Sequence, residues 1–194
     1  MTQDKDKVLY DHTKVNKAAS QAISSSLLGR IKQINETAKH NLLIDVSGSM
    51  EDEVHEEGKS YRERTTKRAI LENLLTKLPE GITKFAFSHK VVEFTGALPF
   101  EGQGTRMDYA FEEMKNRGKK EIVLITDGMP DDAHSALEAS KGLKINIIYI
   151  GPQPRPEFLE QLARKTSGSF TNINLVKAGA TKELESKITL LLNA

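Results

Sequence analysis

Asn41-Leu42-Leu43-Ile44-Asp45-Val46-Ser47-Gly48-Ser49-Met50 is the stretch from which the rest of the chain can be read. It opens as a short, unbroken apolar run, the pattern of a parallel strand buried on both faces. It turns polar at its carboxyl end. Asp45 closes the run, and Ser47 and Ser49 follow at alternate positions. Gly48 between them lets the backbone turn sharply, so that all three polar side chains can converge above the end of the strand.

The sequence downstream repeats this strand-then-loop logic. An acidic loop over 50–59 leads to an amphipathic pattern over 60–78, with Ala69, Ile70, Leu74 and Leu78 on one face; Pro79 and Gly81 end it. Residues 82–88 and 91–94 read as two strands joined by a tight turn at His89-Lys90. Helices are predicted over 105–117, 132–141, 156–166 and 181–192, and apolar strands over 121–126 and 144–150. A further edge strand is predicted over 169–173. Strands alternating with helices imply a doubly wound α/β fold, with a mostly parallel central sheet and helices on both faces. The hairpin at His89 supplies one antiparallel edge strand. In such open sheets the chemistry collects at the carboxyl ends of the strands, near the switch in strand order. The loops after Val46, Ser88, Thr126 and Ile150 are therefore the ones to search.

Upstream, residues 1–40 differ from the rest. They are polar, with Val15, Ala18, Ala19, Ala22, Ile23, Leu27, Ile31 and Ile34 at helical spacing. We read them as an N-terminal helical extension to a domain over 41–194. Its helix either packs on the domain or serves as a second interface. The whole chain has 194 residues, 38% of them hydrophobic and 28% charged, enough for one domain with a real core. It has no cysteine, which excludes a disulfide scaffold, a thiolate metal site and a cysteine nucleophile. Its formal net charge of +1 argues for neither nucleic acid nor membrane. The first fifteen residues lack the apolar core of a signal peptide. No apolar run approaches the ~18–20 residues of a membrane span. The expected setting is cytoplasmic.

Two further polar groups join Asp45, Ser47 and Ser49 at the same sheet edge. Thr126-Asp127-Gly128 follows the strand over 121–126, and Gly102-Gln103-Gly104-Thr105 puts a hydroxyl at a helix start. The resulting set, Asp45, Ser47, Ser49, Thr105 and Asp127, offers oxygen donors alone. Oxygen-only sites suit hard cations, Mg²⁺ first, with Mn²⁺ or Ca²⁺ as alternatives. Three neutral hydroxyls and at most two carboxylates leave such an ion underneutralised wherever the carboxylates are not both in direct contact with it. The site should then seek an anionic oxygen from outside, such as a partner's Asp or Glu.

With this set in place the chain resembles the von Willebrand factor type A (vWA) family. Its metal-ion-dependent adhesion site has the pattern Asp-x-Ser-x-Ser, a distant Thr, then a distant Asp. The match is Asp45-x-Ser47-x-Ser49, Thr105 and Asp127, with the family's glycine present as Gly128. The resemblance implies that Ser47, Ser49 and Thr105 ligate a metal directly or nearly so, and that Asp45 and Asp127 often act through bound water. It implies a protein-interaction module rather than an enzyme, in an intracellular bacterial setting, with a phage-encoded or virion protein as the alternative. The partner would supply an Asp or Glu to the metal, and an AAA-type ATPase or an assembly subunit is the kind of partner it suggests. The acidic loop Glu51-Asp52-Glu53-Val54-His55-Glu56-Glu57 departs from the family. It reads as a solvated loop, and the bases Lys59, Arg62, Arg64, Lys67 and Arg68 that follow read as its counterweight.

Other assignments are weaker. The chain could be a structural subunit assembled through its N-terminal helix, with the metal as a local staple. A metal-assisted phosphoester hydrolase would need a placed general base, and none has a sequence argument behind it. There is no Gly-x-Ser-x-Gly elbow and no Lys after Gly104 to make a phosphate loop. The five histidines show no ligand spacing. Asp45 and Asp127 taken singly would pass for helix caps, and Thr105 for an N-cap; it is their joint placement at strand ends that points to a metal.

Overall fold

The computed structural model describes residues 41–100, 102–151 and 156–193, and of Tyr61 the backbone alone. The segment 1–40, with its expected helix, lies outside the described residues. Six strands form the main sheet: β1 (Asn41–Asp45), β4 (Thr83–Phe87), β5 (Val91–Phe94), β6 (Glu121–Thr126), β7 (Lys144–Tyr149) and β8 (Phe170–Asn172). They lie in the order β5-β4-β1-β6-β7-β8. β1 pairs in parallel with both β4 and β6, β6 with β7, and β7 with β8; β5 alone runs antiparallel, against β4. The expected doubly wound sheet with one antiparallel edge is what the chain forms.

The faces follow from the two-residue period of the strands. Leu42 and Ile44 of β1 point to one side, with Val123 and Ile125 of β6. Helices α1 (Lys67–Leu75) and α5 (Ala180–Leu192) cover that side through Leu71, Leu74, Leu184 and Ile188. Leu43, Phe85, Phe87, Ile122 and Leu124 point to the other. There α2 (Met107–Asn116), α3 (Ala133–Ala139) and α4 (Glu157–Lys165) close the core with Phe111, Met114, Ala136 and Leu159. Each fully buried side chain of this size contributes roughly 1.5–3 kcal/mol. Both faces of β1 are needed for core, which is why Leu42, Leu43 and Ile44 follow one another without a polar break.

The chain leaves β1 for α1 on one face and leaves the adjacent β6 for α3 on the other. The switch in strand order therefore falls between β1 and β6, where the two loops part and open a crevice. Asp45 ends β1, and Asp127 directly follows β6.

The helix expected over 60–78 is the main correction. Helix α1 starts only at Lys67 and ends at Leu75. Residues 61–63 form a single 3₁₀ turn held by a capping box between Ser60 and Glu63. The β-branched pair Thr65–Thr66 (β3) then extends and pairs with Glu53–Val54 (β2) as a two-stranded antiparallel ribbon. The Thr66 side chain accepts from the Ala69 N–H and starts the helix there. Ala69, expected inward, is exposed, and Leu71 and Leu75 take the inward face instead. Smaller shifts occur at helix starts. α2 begins at Met107, so Thr105 stands outside it, and α4 begins at Glu157 with Pro156 at the cap. Among the described residues no helix is long and apolar enough to cross a membrane.

Candidate metal centre

Asp45 is wholly buried and both its carboxylate oxygens are engaged. Oδ1 accepts the Ser47 backbone N–H at 2.8 Å, and Oδ2 accepts the Thr126 hydroxyl at 2.6 Å. The first bond fixes the turn out of β1; the second ties it to the end of β6. Thr126 in turn accepts the Gly128 N–H at 3.2 Å, so one hydroxyl braces both loops. Sequence reasoning did not single out Thr126, although its place as the last residue of a buried strand next to Asp127 was visible.

The turn that Asp45 fixes presents two hydroxyls. Ser47 Oγ and Ser49 Oγ lie 3.2 Å apart, and Ser49 Oγ donates to Asp127 Oδ1 at 2.8 Å. That last bond spans 78 residues and joins the loop after β1 to the loop after β6. Gly48 does not use a left-handed backbone here; it opens a 3₁₀ turn, Gly48–Glu51. A Cβ at Gly48 would crowd the Gly102 carbonyl at 3.3 Å, so the glycine lets the third loop lie close.

The same approach brings in the third loop. The Gly102 N–H donates to the Val46 carbonyl at 3.2 Å, laying residues 102–105 beside the serines. Gly104 has φ +68, and the Asp131 carboxylate lies against it where a Cβ would be. Asp131 accepts the Thr105 N–H at 3.0 Å, and Asp131 donates its own N–H to the Thr105 carbonyl at 3.1 Å. Thr105 is buried and is not a helix cap. Its hydroxyl has no hydrogen-bond partner among the described residues. Direct hydrogen bonds thus link Asp45, Ser47, Ser49 and Asp127, while Thr105 is held beside them through backbone contacts.

An unforeseen residue completes the cluster. Lys67, first in α1, is buried, and its ammonium donates to Asp127 Oδ2 at 2.6 Å, the Ser49 carbonyl at 3.0 Å and Asp52 Oδ2 at 3.2 Å. Burial works against this charge, but Asp127 and Asp52 outweigh it and hold the lysine pKa above its ordinary value. The sequence did carry a signal. Lys67, Ile70, Leu71 and Leu74 fall at i, i+3, i+4 and i+7, so this lysine lies on the apolar stripe. Its neighbours behave as the expected counterweight to the acidic loop. Glu51 meets Arg68, Glu53 meets Arg64, and Glu56 meets Lys59.

Does this set fit a divalent cation? No three His, Asp or Glu side chains come together in a metal-holding group among the described residues. A cation here must therefore draw on hydroxyl oxygens, and those of Ser47 and Ser49 already stand together beside Asp127. The buried Asp45 adds a second negative charge beneath them. The donors are hard oxygens throughout, which is the chemistry that Mg²⁺ or Mn²⁺ takes.

A scan against protein-family models finds no match for this chain, and no curated protein sequence matches it. Among solved structures, a von Willebrand factor type A protein from Catenulispora acidiphila superimposes with a TM-score of 0.54 over 79% of this chain, at 18% identity. The fold is of the vWA type. The match takes in 42% of that protein, so this chain spans less than half of its length. In this chain the crevice between β1 and β6 lies at the carboxyl edge of the sheet, where Asp45 ends β1 and Asp127 follows β6.

Burial pushes the Asp45 carboxyl up to about 6, against the opposing pull of the Thr126 hydroxyl and the Ser47 N–H. The unfolded chain has the ordinary value near 3.8. Between these values the folded protein binds the extra proton, so Asp45 costs stability as pH rises through 6. The carboxylates held low by partners, Asp108 and Asp132 among them, act oppositely and only in more acidic solution. In EDTA, moving from pH 7.5 to 5 should therefore stabilise the protein through Asp45 by about 1 kcal/mol. Urea unfolding at the two pH values, on wild type and on Asp45→Asn, checks this: the gain should vanish in the variant.

Proposed function

We propose that this chain is a metal-dependent protein-interaction module rather than an enzyme. Asp45, Ser47, Ser49, Thr105 and Asp127 hold a divalent cation, Mg²⁺ first, and a partner's Asp or Glu carboxylate completes its coordination. The observation that carries this reading is the Ser49–Asp127 hydrogen bond, which joins the loops after β1 and β6 into one cluster of hard oxygens with Ser47. When bound, the ion supplies a positive centre for an outside anion. The role of the chain is to orient. Asp45 sets the Ser47 backbone, Thr126 holds Asp45, and Asp131 holds Thr105.

Charge alone does not choose the partner. Asp45 and Asp127, with Asp52 on Lys67 and Asp131 on Thr105, set four carboxylates against one ammonium, or minus three, which a divalent cation raises to minus one. What favours an incoming carboxylate is the ion itself, a hard cation whose protein donors include three neutral hydroxyls. Catalysis has less support, because Asp45 and Asp127 are already tied to hydrogen-bond donors and neither stands free as a general base. The suggestion of an ATPase or assembly subunit as partner rests on family resemblance alone.

The test is affinity capture from host lysate on the full chain, with Mg²⁺ and with EDTA, using wild type and Asp45→Asn. A protein retained by wild type only in Mg²⁺ is the expected result. A protein retained equally in all four conditions would move the interface away from these residues.

A further inference from the structure

Lys67 has no place in the adhesion-site pattern, yet it occupies the centre of the cluster. Its three ammonium hydrogens match three acceptors, Asp127 Oδ2, the Ser49 carbonyl and Asp52 Oδ2. Two of these belong to residues assigned to the metal. The lysine is also the first residue of α1, where a cation stands against the helix dipole. Its stem shares the buried stripe with Ile70, Leu71 and Leu74. Placement there is electrostatically unfavourable apart from these acceptors.

We infer that Lys67 is a tethered cation that competes with the divalent ion for Asp127 and holds metal affinity down; this rests on the metal reading above. The charges decide it. An ammonium within hydrogen-bond distance of Asp127 neutralises the carboxylate that would otherwise attract the metal, and it repels a second cation arriving beside it. Asp52 offers an alternative. Its carboxylate, 66% exposed, is already 3.2 Å from Nζ, so Lys67 can lean toward it and leave Asp127 to the metal. The metal-free cluster is thereby kept assembled, since Asp127 is never a buried anion without a cation.

The experiment is a Mn²⁺ titration of the full chain, with free Mn²⁺ read by electron paramagnetic resonance. Wild type is compared with Lys67→Met, which keeps the stem, and with Lys67→Arg, which keeps the charge. Lys67→Gln retains an N–H donor for Asp127 and carries the same comparison if the Met variant does not fold. Removing the charge should tighten Mn²⁺ binding about tenfold or more, while Lys67→Arg stays near wild type. Melting in EDTA and in Mn²⁺ gives a second readout: the rise in Tm on adding Mn²⁺ should be larger in the neutral variants. Equal or weaker binding in the neutral variants, with wild type binding, overturns the role of Lys67 and leaves the metal reading standing. Binding by the neutral variants alone supports the role of Lys67 and removes the metal from the wild-type function. No binding by any of them overturns both.

Discussion

Asp45→Asn should weaken divalent-cation binding by about a hundredfold or more while leaving the metal-free Tm at pH 7.5 unchanged or higher. The two effects separate because Asp45 pays for its charge in the metal-free fold. It is wholly buried, and its pKa of about 6 measures a cost to ionisation of about 3 kcal/mol at neutral pH. Asparagine has the same shape and no charge. It still accepts one of the two donors that Asp45 satisfies, Ser47 N–H and Thr126 Oγ1. Its amide then donates to Thr126 Oγ1, a hydroxyl that accepts as well as donates and whose own hydrogen has the Gly128 carbonyl at 3.3 Å, so both bonds survive without the charge. Asp45→Ala is a poorer probe, since it orphans both donors and leaves a void. Calorimetric Mg²⁺ titration and thermal melts in EDTA read the two effects separately. Undiminished Mg²⁺ affinity in Asp45→Asn would remove Asp45 from the site.

Gly168→Ala should destabilise the fold by about 3 kcal/mol or more, with no direct effect on the metal cluster. Gly168 lies in the turn between α4 and β8, and its N–H donates to the Ala163 carbonyl. A Cβ there would overlap the carbonyl of Ile145, which is backbone of β7 and cannot step aside. The neighbouring residue secures the same join: Ser169 N–H and Oγ both reach Asn146 Oδ1 at 3.0 Å. Alanine would push β8 off the sheet edge and with it Ile173 and Leu175, which are buried just beyond. Urea denaturation gives the size of the loss. A variant as stable as wild type would mean that the chain between α4 and β8 repacks at little cost.

The parts of this fold that were legible in the sequence are those governed by short-range pattern. The apolar runs at β1, β6 and β7 have no reason to exist outside a sheet buried on both faces. The tight turn at His89-Lys90 fixed the antiparallel edge. Residues 60–66 misled because their composition allows a helix while a tertiary partner decides otherwise. Thr65 and Thr66 extend only because Glu53 and Val54 are there to pair with them, and the Ser60 capping box serves one 3₁₀ turn.

Within the candidate site, Asp45, Ser47, Ser49 and Asp127 were legible because strand ends force them to one edge. Lys67 was legible only in part. Its spacing with Ile70, Leu71 and Leu74 marked it as inward, but a run of five bases beside a run of acids drew it into the surface account. Asp131 and Thr126 act by bracing other residues, through bonds that depend on loop geometry rather than on spacing along the chain.

The measurement that bears most directly on the metal site is anomalous X-ray diffraction from crystals of the full chain grown in Mn²⁺. The account predicts an anomalous peak in bonding contact with the hydroxyls of Ser47, Ser49 and Thr105, and a Lys67 ammonium displaced from Asp127 toward Asp52. Saturating Mn²⁺ with no peak there, and Lys67 still on Asp127, would contradict it.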